Sequence, residues 1–234
     1  MFLLPIEEDN PTRNSAYAVW ALIGLNVAAF LGMVVFGSHN WLQAYGFRPA
    51  EPSIQTLIAS MFLHDGVLHL LANLFFLFIF GDNVEDMTGP VKFVLAYVLA
   101  GVVATGAYAV TTSHPHVPLV GASGAVSGVV GMYLVLFPRA PFQTHLVLGW
   151  WPLCGFRCTA AVATGIWFGQ QLLLAGLASW SGALILGIAF WAHVGGFVAG
   201  IVLGFLFGRL SFGASRLTTA RRATREYWRD SEYL

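Results

Sequence analysis

The sequence predicts an all-α fold whose helices cross a lipid bilayer several times. Of the 234 residues, 57% are hydrophobic and only 9% are charged, and the mean hydropathy is +0.72. A soluble domain carries roughly 25% charged residues. Apolar runs of about 20 residues with almost no charge recur along the chain, and that length matches a membrane-spanning helix. The chain is therefore predicted to be a polytopic membrane protein.

Six apolar runs are the predicted spans. They cover approximately residues 15–36, 67–84, 91–111, 123–137, 159–178 and 183–207. The fourth run is short, because about 15 residues give a helix of only roughly 22 Å, whereas the hydrocarbon core is about 30 Å thick. We therefore expect the fourth span to begin below the membrane surface, with the preceding loop dipping into the bilayer.

The connections between the runs contain helix breakers and polar residues. The long segment 37–60 holds two X-Pro pairs and is too polar to span, and its Trp41 and Tyr45 suit the membrane interface. Gly89-Pro90 separates the second run from the third. The segment 138–158 mixes charged and apolar residues, and we interpret it as interfacial.

The positive charges indicate an orientation. Six spans place both termini on one side, and every one of the eleven Lys and Arg residues except Arg48 then falls on that side. The positive-inside rule makes that side cytoplasmic. The predicted organisation is a cytoplasmic N-terminal tail of residues 1–14, a six-helix membrane domain of residues 15–208, and an Arg-rich cytoplasmic tail of residues 209–234.

The segment Gly121-Ala122-Ser123-Gly124 suggests a nucleophile at the head of the fourth span. Small flanking residues allow a substrate backbone to approach the hydroxyl, and the unpaired N–H groups of a helix N-terminus can hold an oxyanion. The alternative is a Ser that only packs or bonds to the preceding turn. We interpret Ser123 as a candidate nucleophile.

His193 is the candidate general base. It lies about ten residues, or about 15 Å, into the sixth run, where an ionisable side chain is costly and usually functional. Small residues at 192, 196, 200 and 204 form a stripe on this span, and Gly124, Gly128 and Gly131 form another on the fourth. Close packing of these stripes would bring His193 to Ser123. A structural His or a haem ligand is the alternative reading of His193.

His69 and Asn73 are candidate oxyanion donors. They are spaced i,i+4 and share one face of the second span. Together with the Ser123 N–H they could surround a developing negative charge. His64 lies off that face and is interpreted as structural, and Glu85 is interpreted as fastening a helix end.

Other chemistries fit the sequence less well. There is no H-E-x-x-H motif and no pair of intramembrane Asp residues. Cys154 and Cys158 fall short of a four-ligand zinc site. A haem or quinone carrier remains an alternative, although His64 and His69 are poorly aligned for haem. We expect neither metal nor cofactor, and no nucleic-acid partner. No carboxylate lies in the apolar interior of a span, so a Ser–His dyad is predicted without a third member.

Taken together, these motifs resemble the rhomboid family of intramembrane serine proteases. Trp167 and Gln171 in the fifth span are also similar to this family. The resemblance covers about residues 60–208, and its ordered motifs are His64-x4-His69-x3-Asn73, Gly81-x3-Glu85-x3-Gly89, Gly121-Ala122-Ser123-Gly124, and Ala192-His193-x2-Gly196-x3-Gly200.

The resemblance implies a six-helix rhomboid-like bundle with Ser123 as nucleophile and His193 as base. It also implies an oxyanion hole made by His69, Asn73 and the Ser123 amide. Residue 127 is Ser, where some members have an aromatic side chain that packs on the catalytic His. The first connection also lacks the Trp-Arg pair of some members.

The predicted function is endoproteolysis in or near the transmembrane segments of membrane proteins, with the lipid bilayer as the other partner. The expected location is a bacterial or archaeal cell membrane, with the active site opening to the outside. A non-catalytic rhomboid-like protein that binds membrane helices is the alternative.

Overall fold

The structure is a computed structural model that describes residues 2–8, 12, 14–148, 151–181 and 188–208. Helices dominate these residues, as predicted, and a small antiparallel sheet accompanies them. The helices are α1 (Tyr17–Phe36), α2 (Ser38–Tyr45), α3 (Ile54–Ala59), α4 (Val67–Thr88), α5 (Pro90–Thr111), α6 (Ser123–Leu136), α7 (Ala160–Ser181) and α8 (Phe190–Gly208), and the strands are β1 (Phe2–Glu8), β2 (Pro141–Leu148) and β3 (Trp151–Thr159).

Five of these helices are long and apolar enough to cross a membrane: α1, α4, α5, α7 and α8. Helix α6 is also apolar but has only 14 residues. Each predicted span overlaps one of these six helices, and the predicted short fourth span corresponds to α6. The prediction of an all-α, polytopic integral membrane protein is confirmed.

Helix α6 forms the centre of the bundle. Most of its residues are buried, including the whole stretch from Gly124 to Tyr133. The helix packs against α5 through small residues: a Cβ atom added at Gly124 would lie 2.5 Å from the Cβ of Ala104, and one at Gly128 would collide with Ala100. Small residues on both helices therefore allow their backbones to approach closely.

Helices α6 and α8 are in direct backbone contact, as their small-residue stripes predict. A Cβ atom at Gly196 would collide with the carbonyl oxygen of Gly124, and one at Gly200 would collide with that of Gly128. Farther along, a Cβ atom at Gly131 would collide with the carbonyl of Phe197. The contact leaves no room for side chains, which sets the register between the two helices.

The predicted start of the sixth span was wrong. The apolar run begins near residue 183, but α8 begins at Phe190, and Ile188 and Ala189 are not helical. Residues 182–187 lie outside the described part of the chain. His193 is thus in the first turn of α8 instead of ten residues into it. Hydropathy cannot mark this boundary, because Ile188 and Ala189 are as apolar as the helix that follows them.

Glu85 ties α4 to the start of α1. Its side chain is 3% exposed, and its two carboxylate oxygens accept hydrogen bonds from the backbone N–H groups of Ala18 at 2.9 Å and Val19 at 2.8 Å. These N–H groups have no partner within α1, because they belong to its first turn. A negative charge at a helix N-terminus is favourable. Glu85 therefore fastens a helix end, as interpreted from the sequence.

The strands form a three-stranded antiparallel sheet in the order β1-β2-β3. It joins the first residues of the chain to the connection between α6 and α7. The segment 138–158, interpreted as interfacial, therefore contains a β-hairpin, and residues 2–8 of the expected N-terminal tail form its third strand. The expected C-terminal tail, residues 209–234, lies outside the described residues.

The segment 37–60 contains α2 and α3 and reaches the loop before α6. Phe47 and Leu119 exchange backbone hydrogen bonds of 3.0 and 2.8 Å in an antiparallel bridge. The N–H of Ala50 donates to the carbonyl of Pro115 at 3.0 Å. These bonds hold the loop that precedes Ser123 against the first connection.

Candidate active site

Ser123 is the first residue of α6 and is half-buried. The chain enters α6 through Gly121, whose φ of +121° lies in the region that favours glycine. The N–H of Gly121 donates to the carbonyl of Ser60 at 2.8 Å, which fixes the entry. Ser123 therefore combines a hydroxyl with the free N–H groups that begin every helix.

His69 lies against Gly121, next to Ser123. A Cβ atom at Gly121 would be 2.7 Å from both Cε1 and Nε2 of His69, and 3.7 Å from Oγ of Ser123. The ring of His69 and the hydroxyl of Ser123 thus face the same small space. The structure brings these two predicted site residues together, and Gly121 makes the approach possible because it lacks a side chain.

Asp65 holds the other side of the His69 ring. Asp65 precedes the start of α4, and its Oδ1 atom lies 2.6 Å from Nδ1 of His69, four residues farther along the chain. An ionised carboxylate can only accept, so Nδ1 donates in this pair. The bond orients the ring so that its Nε2 edge points toward Gly121. The i,i+4 spacing of Asp65 and His69 is visible in the sequence, but the contact between their side chains was not predicted.

Asn73 follows His69 by one turn on α4, as expected. It is 5% exposed, and its amide nitrogen donates to the carbonyl of His69 at 2.9 Å. A side-chain amide has two N–H groups, so one remains for another acceptor. This hydrogen bond to the preceding turn holds the side-chain amide of Asn73 on the face of α4 that carries His69.

His64 packs on His69 from the side of the preceding loop. It is fully buried, and the two rings meet edge to face with their centroids 5.1 Å apart. Burial lowers the pKa of His64 to about 4, with the neighbouring His69 acting in the same direction. A neutral ring that packs against His69 fits the structural interpretation of His64.

His193 is held by α7. Its Nδ1 atom lies 2.8 Å from Oε1 of Gln171, which is 7% exposed. The ring of Trp167 stacks beside the imidazole with a centroid separation of 6.3 Å and an interplanar angle of 26°, and Phe190 meets it edge-on at 6.2 Å. Two side chains spaced i,i+4 on α7 therefore orient the candidate base.

The α6–α8 backbone contact sets His193 and Ser123 at the same level. A Cβ atom at Gly124 would lie 3.8 Å from the carbonyl of Ala192, and Gly196 meets Gly124 from one turn farther along. His193 lies between Ala192 and Gly196, and Ser123 precedes Gly124. The packing that the two glycine stripes predict thus brings these two parts of the chain together.

Ser127 does not supply an aromatic surface for His193. It is 2% exposed, and its hydroxyl donates to the carbonyl of Ser123 at 2.6 Å. The sequence showed the absence of an aromatic residue at 127 but did not show what replaces it. In the structure, the side chains of Trp167 and Gln171 contact the imidazole of His193.

Within the part of the chain that the structure describes, no three His, Cys, Asp or Glu side chains are grouped so that they could hold a metal ion. The polar groups of the candidate site are the hydroxyl of Ser123, imidazoles, amides and the carboxylate of Asp65 bound to His69. This donor set suits proton transfer and hydrogen bonding to an oxyanion.

Comparison with known proteins agrees with the resemblance. The Rhomboid domain family matches residues 51–210. The mitochondrial Rhomboid protein 1 of Saccharomyces cerevisiae is 30% identical over 197 residues, which cover 82% of this chain and 53% of that protein. Rhomboid protease GluP of Bacillus subtilis is 39% identical over 155 residues, covering 60% and 30% of the two chains.

The similarity also extends to Inactive rhomboid protein 1 of Drosophila melanogaster, which is 34% identical over 80 residues, or 34% of this chain and 6% of that protein. The chain spans about half the length of the yeast protein and less of the other two. The domain match nevertheless covers α3 through α8 and every candidate site residue. This chain belongs to the rhomboid family.

Proposed function

We propose that this protein is an intramembrane serine endopeptidase that uses Ser123 and His193 as a catalytic pair. The observation that supports the proposal is the backbone contact of Gly196 with Gly124, because Gly124 follows Ser123 in α6 and Gly196 lies one turn from His193 in α8. Membership of the rhomboid family supports the same conclusion.

In the proposed reaction, Oγ of Ser123 attacks the carbonyl carbon of the scissile peptide bond while Nε2 of His193 accepts the hydroxyl proton. The tetrahedral oxyanion is held by the Ser123 N–H, His69 and Asn73. The C–N bond then breaks, and His193 gives its proton to the leaving amine. Water hydrolyses the resulting acyl-enzyme by the same steps, with His193 again acting as base.

The proposed substrates are transmembrane segments of other membrane proteins. A helical substrate hides its carbonyls in hydrogen bonds, because unsatisfied backbone groups are costly in lipid. Cleavage therefore requires a segment that unwinds, and we expect a preference for sites near Gly, Pro or small residues. With the termini cytoplasmic, as the positive charges indicate, the site would open to the opposite side of the membrane.

The test uses the full-length protein reconstituted in liposomes with a single-span substrate that carries a Gly-Pro break. Wild type is expected to cleave it, and Ser123→Ala and His193→Ala are expected to be inactive. Ser127→Ala is the matched control, because it removes a hydroxyl one turn away on the same helix and should keep most of the activity.

A fluorophosphonate probe should label wild type and Ser127→Ala but not Ser123→Ala. Equal cleavage by wild type, Ser123→Ala and His193→Ala would refute the proposal. Substrate capture without cleavage or labelling by wild type would indicate a non-catalytic binder of membrane helices instead.

A further inference from the structure

The Ser–His pair alone does not explain what orients the imidazole ring of His193, and Gln171 lies where it could do so. Gln171 is buried in α7 at 7% exposure, where an unpaired amide would be costly. Its Oε1 atom lies 2.8 Å from Nδ1 of His193. The amide thus points at the ring nitrogen that the proposed reaction does not use.

We propose that Gln171 is the positioning residue of the catalytic base, so that the site works as a Ser123–His193–Gln171 triad. This inference rests on the proposed function and adds a third member that the sequence did not show. It assigns a chemical role to a side chain that touches neither the substrate nor the reacting oxygen.

The role follows from the donor and acceptor rules of the two groups. An amide oxygen only accepts, so the Nδ1 atom that faces it must carry the proton. In the neutral ring Nε2 then keeps its lone pair and can accept the proton of a hydroxyl. A ring with the proton on Nε2 could not act as base, as is known for serine proteases in which the orienting group imposes the wrong tautomer.

The surrounding side chains support this assignment. Trp167 is one turn before Gln171 on α7, and its ring stacks beside the imidazole. Ser127, where some relatives carry an aromatic residue, turns its hydroxyl to the carbonyl of Ser123. The imidazole is therefore oriented from α7 by a flat surface and an acceptor.

The chain offers a matched control in Gln170. It is the adjacent residue, has the same side chain and is half-buried, but it is directed to a different face of α7. Gln170→Leu and Gln171→Leu therefore make the same chemical change on one helix. A merely structural contribution of a buried amide would not alter the tautomer of His193.

The first measurement is the tautomer itself, by nitrogen NMR of the full-length protein labelled at histidine, with His193→Ala identifying the signal. At a pH where the ring is neutral, wild type and Gln170→Leu are expected to carry the proton on Nδ1. In Gln171→Leu the proton should move in part or wholly to Nε2. A proton on Nε2 in wild type, or no change in Gln171→Leu, would overturn the inference.

The second measurement is cleavage kinetics. Gln171→Leu is expected to lower kcat about tenfold or more with little change in KM, because ground-state substrate binding is untouched. Gln170→Leu should stay within about twofold of wild type in kcat, as expected for a side chain outside the site. Unchanged kcat in Gln171→Leu, with wild type active, would overturn the inference and leave the proposed function standing.

Gln171→Glu covers the case in which the leucine variant does not fold. A carboxylate also accepts from Nδ1, so kcat should be largely retained. Its negative charge favours the imidazolium form of His193, so the acid limb of the kcat/KM profile should move to higher pH. An acid limb identical to that of wild type would refute contact between residue 171 and the base. Inactivity of wild type itself would instead refute the proposed function, and the NMR result would still decide the tautomer.

Discussion

The ring of His69 occupies the space that a side chain at Gly121 would need. A Cβ atom there would lie 2.7 Å from two ring atoms, and the backbone at Gly121 has a φ of +121°. The lack of space for a Cβ atom and the positive φ both apply at residue 121, which leads into Ser123. The loop and the imidazole can meet only because residue 121 is glycine.

Under the proposed function, Gly121→Ala is therefore expected to abolish proteolysis. The substitution strains the backbone by about 1–3 kcal/mol and displaces His69 from the site. Cleavage of the liposome substrate should fall at least tenfold. Gly106→Ala is the control, because a Cβ atom there meets nothing within 4 Å, and its activity should match wild type. Full activity of Gly121→Ala would contradict the described position of His69.

Gly196→Ala should separate α6 from α8. The added methyl group collides with the carbonyl of Gly124, which is backbone and cannot move alone. Overpacking of this kind costs about 1–3 kcal/mol, and the shift carries His193 away from Ser123. We expect loss of fluorophosphonate labelling together with a lower unfolding temperature. Gly176→Ala in α7 is the control, because a Cβ atom there has open space; it should change neither the labelling nor the unfolding temperature. Normal labelling of Gly196→Ala would show that the contact between Gly196 and Gly124 does not determine the geometry of the site.

Glu85→Ala should destabilise the protein without changing its chemistry. It removes the acceptor of two buried backbone N–H groups, at Ala18 and Val19, and hydrogen bonds to a charged group contribute about 1.5–3 kcal/mol each. We expect the free energy of unfolding in detergent to fall by about 2–4 kcal/mol, with kcat retained below the unfolding temperature. The exposed Glu51 supplies the control, Glu51→Ala, which should be neutral. A neutral Glu85→Ala would mean that α1 is capped by other groups.

Stability is expected to fall at low pH because of His64. Its pKa is about 4 in the folded protein and about 6.5 when unfolded. Between these values the unfolded chain binds more protons, so stability is complete above about pH 6.5 and is lost as the pH falls toward about 4. The loss is on the order of 3 kcal/mol. Unfolding titrations of wild type and His64→Phe from pH 7 to pH 4 should differ in slope, and parallel curves would show that His64 is not buried and neutral.

Much of the fold was predictable because hydropathy and small-residue spacing report directly on it. The short fourth span, the stripe that joins α6 to α8 and the fastening by Glu85 all follow from local patterns. Polar residues in apolar runs are costly, so His69, Asn73, Ser123 and His193 were visible as site candidates. The structure brings His69 to Ser123 and sets His193 at the level of Ser123.

Other features depend on long-range placement that no local pattern reports. The start of α8 was misplaced because Ile188 and Ala189, which precede it, are also apolar. The β-hairpin at 141–159 pairs with residues 2–8, and that partner lies far away in sequence. Gln171 is visible in the sequence as a residue similar to the rhomboid family, but its contact with His193 depends on how α7 packs against α8. The same holds for Asp65, whose role depends on the His69 ring meeting Gly121.

Helix α7 supplies both Gln171 and Trp167, so the basicity of Nε2 depends on where this helix lies. A displacement of α7 by about 1 Å would lengthen the 2.8 Å bond beyond hydrogen-bond range. The imidazole of His193 would then be free to exchange tautomers, and in the proposed mechanism Ser123 would lose its activation. Under the proposed function, the rate of hydrolysis therefore depends on how α7 packs against α8, and a lipid or a bound peptide segment that presses on α7 would change that rate.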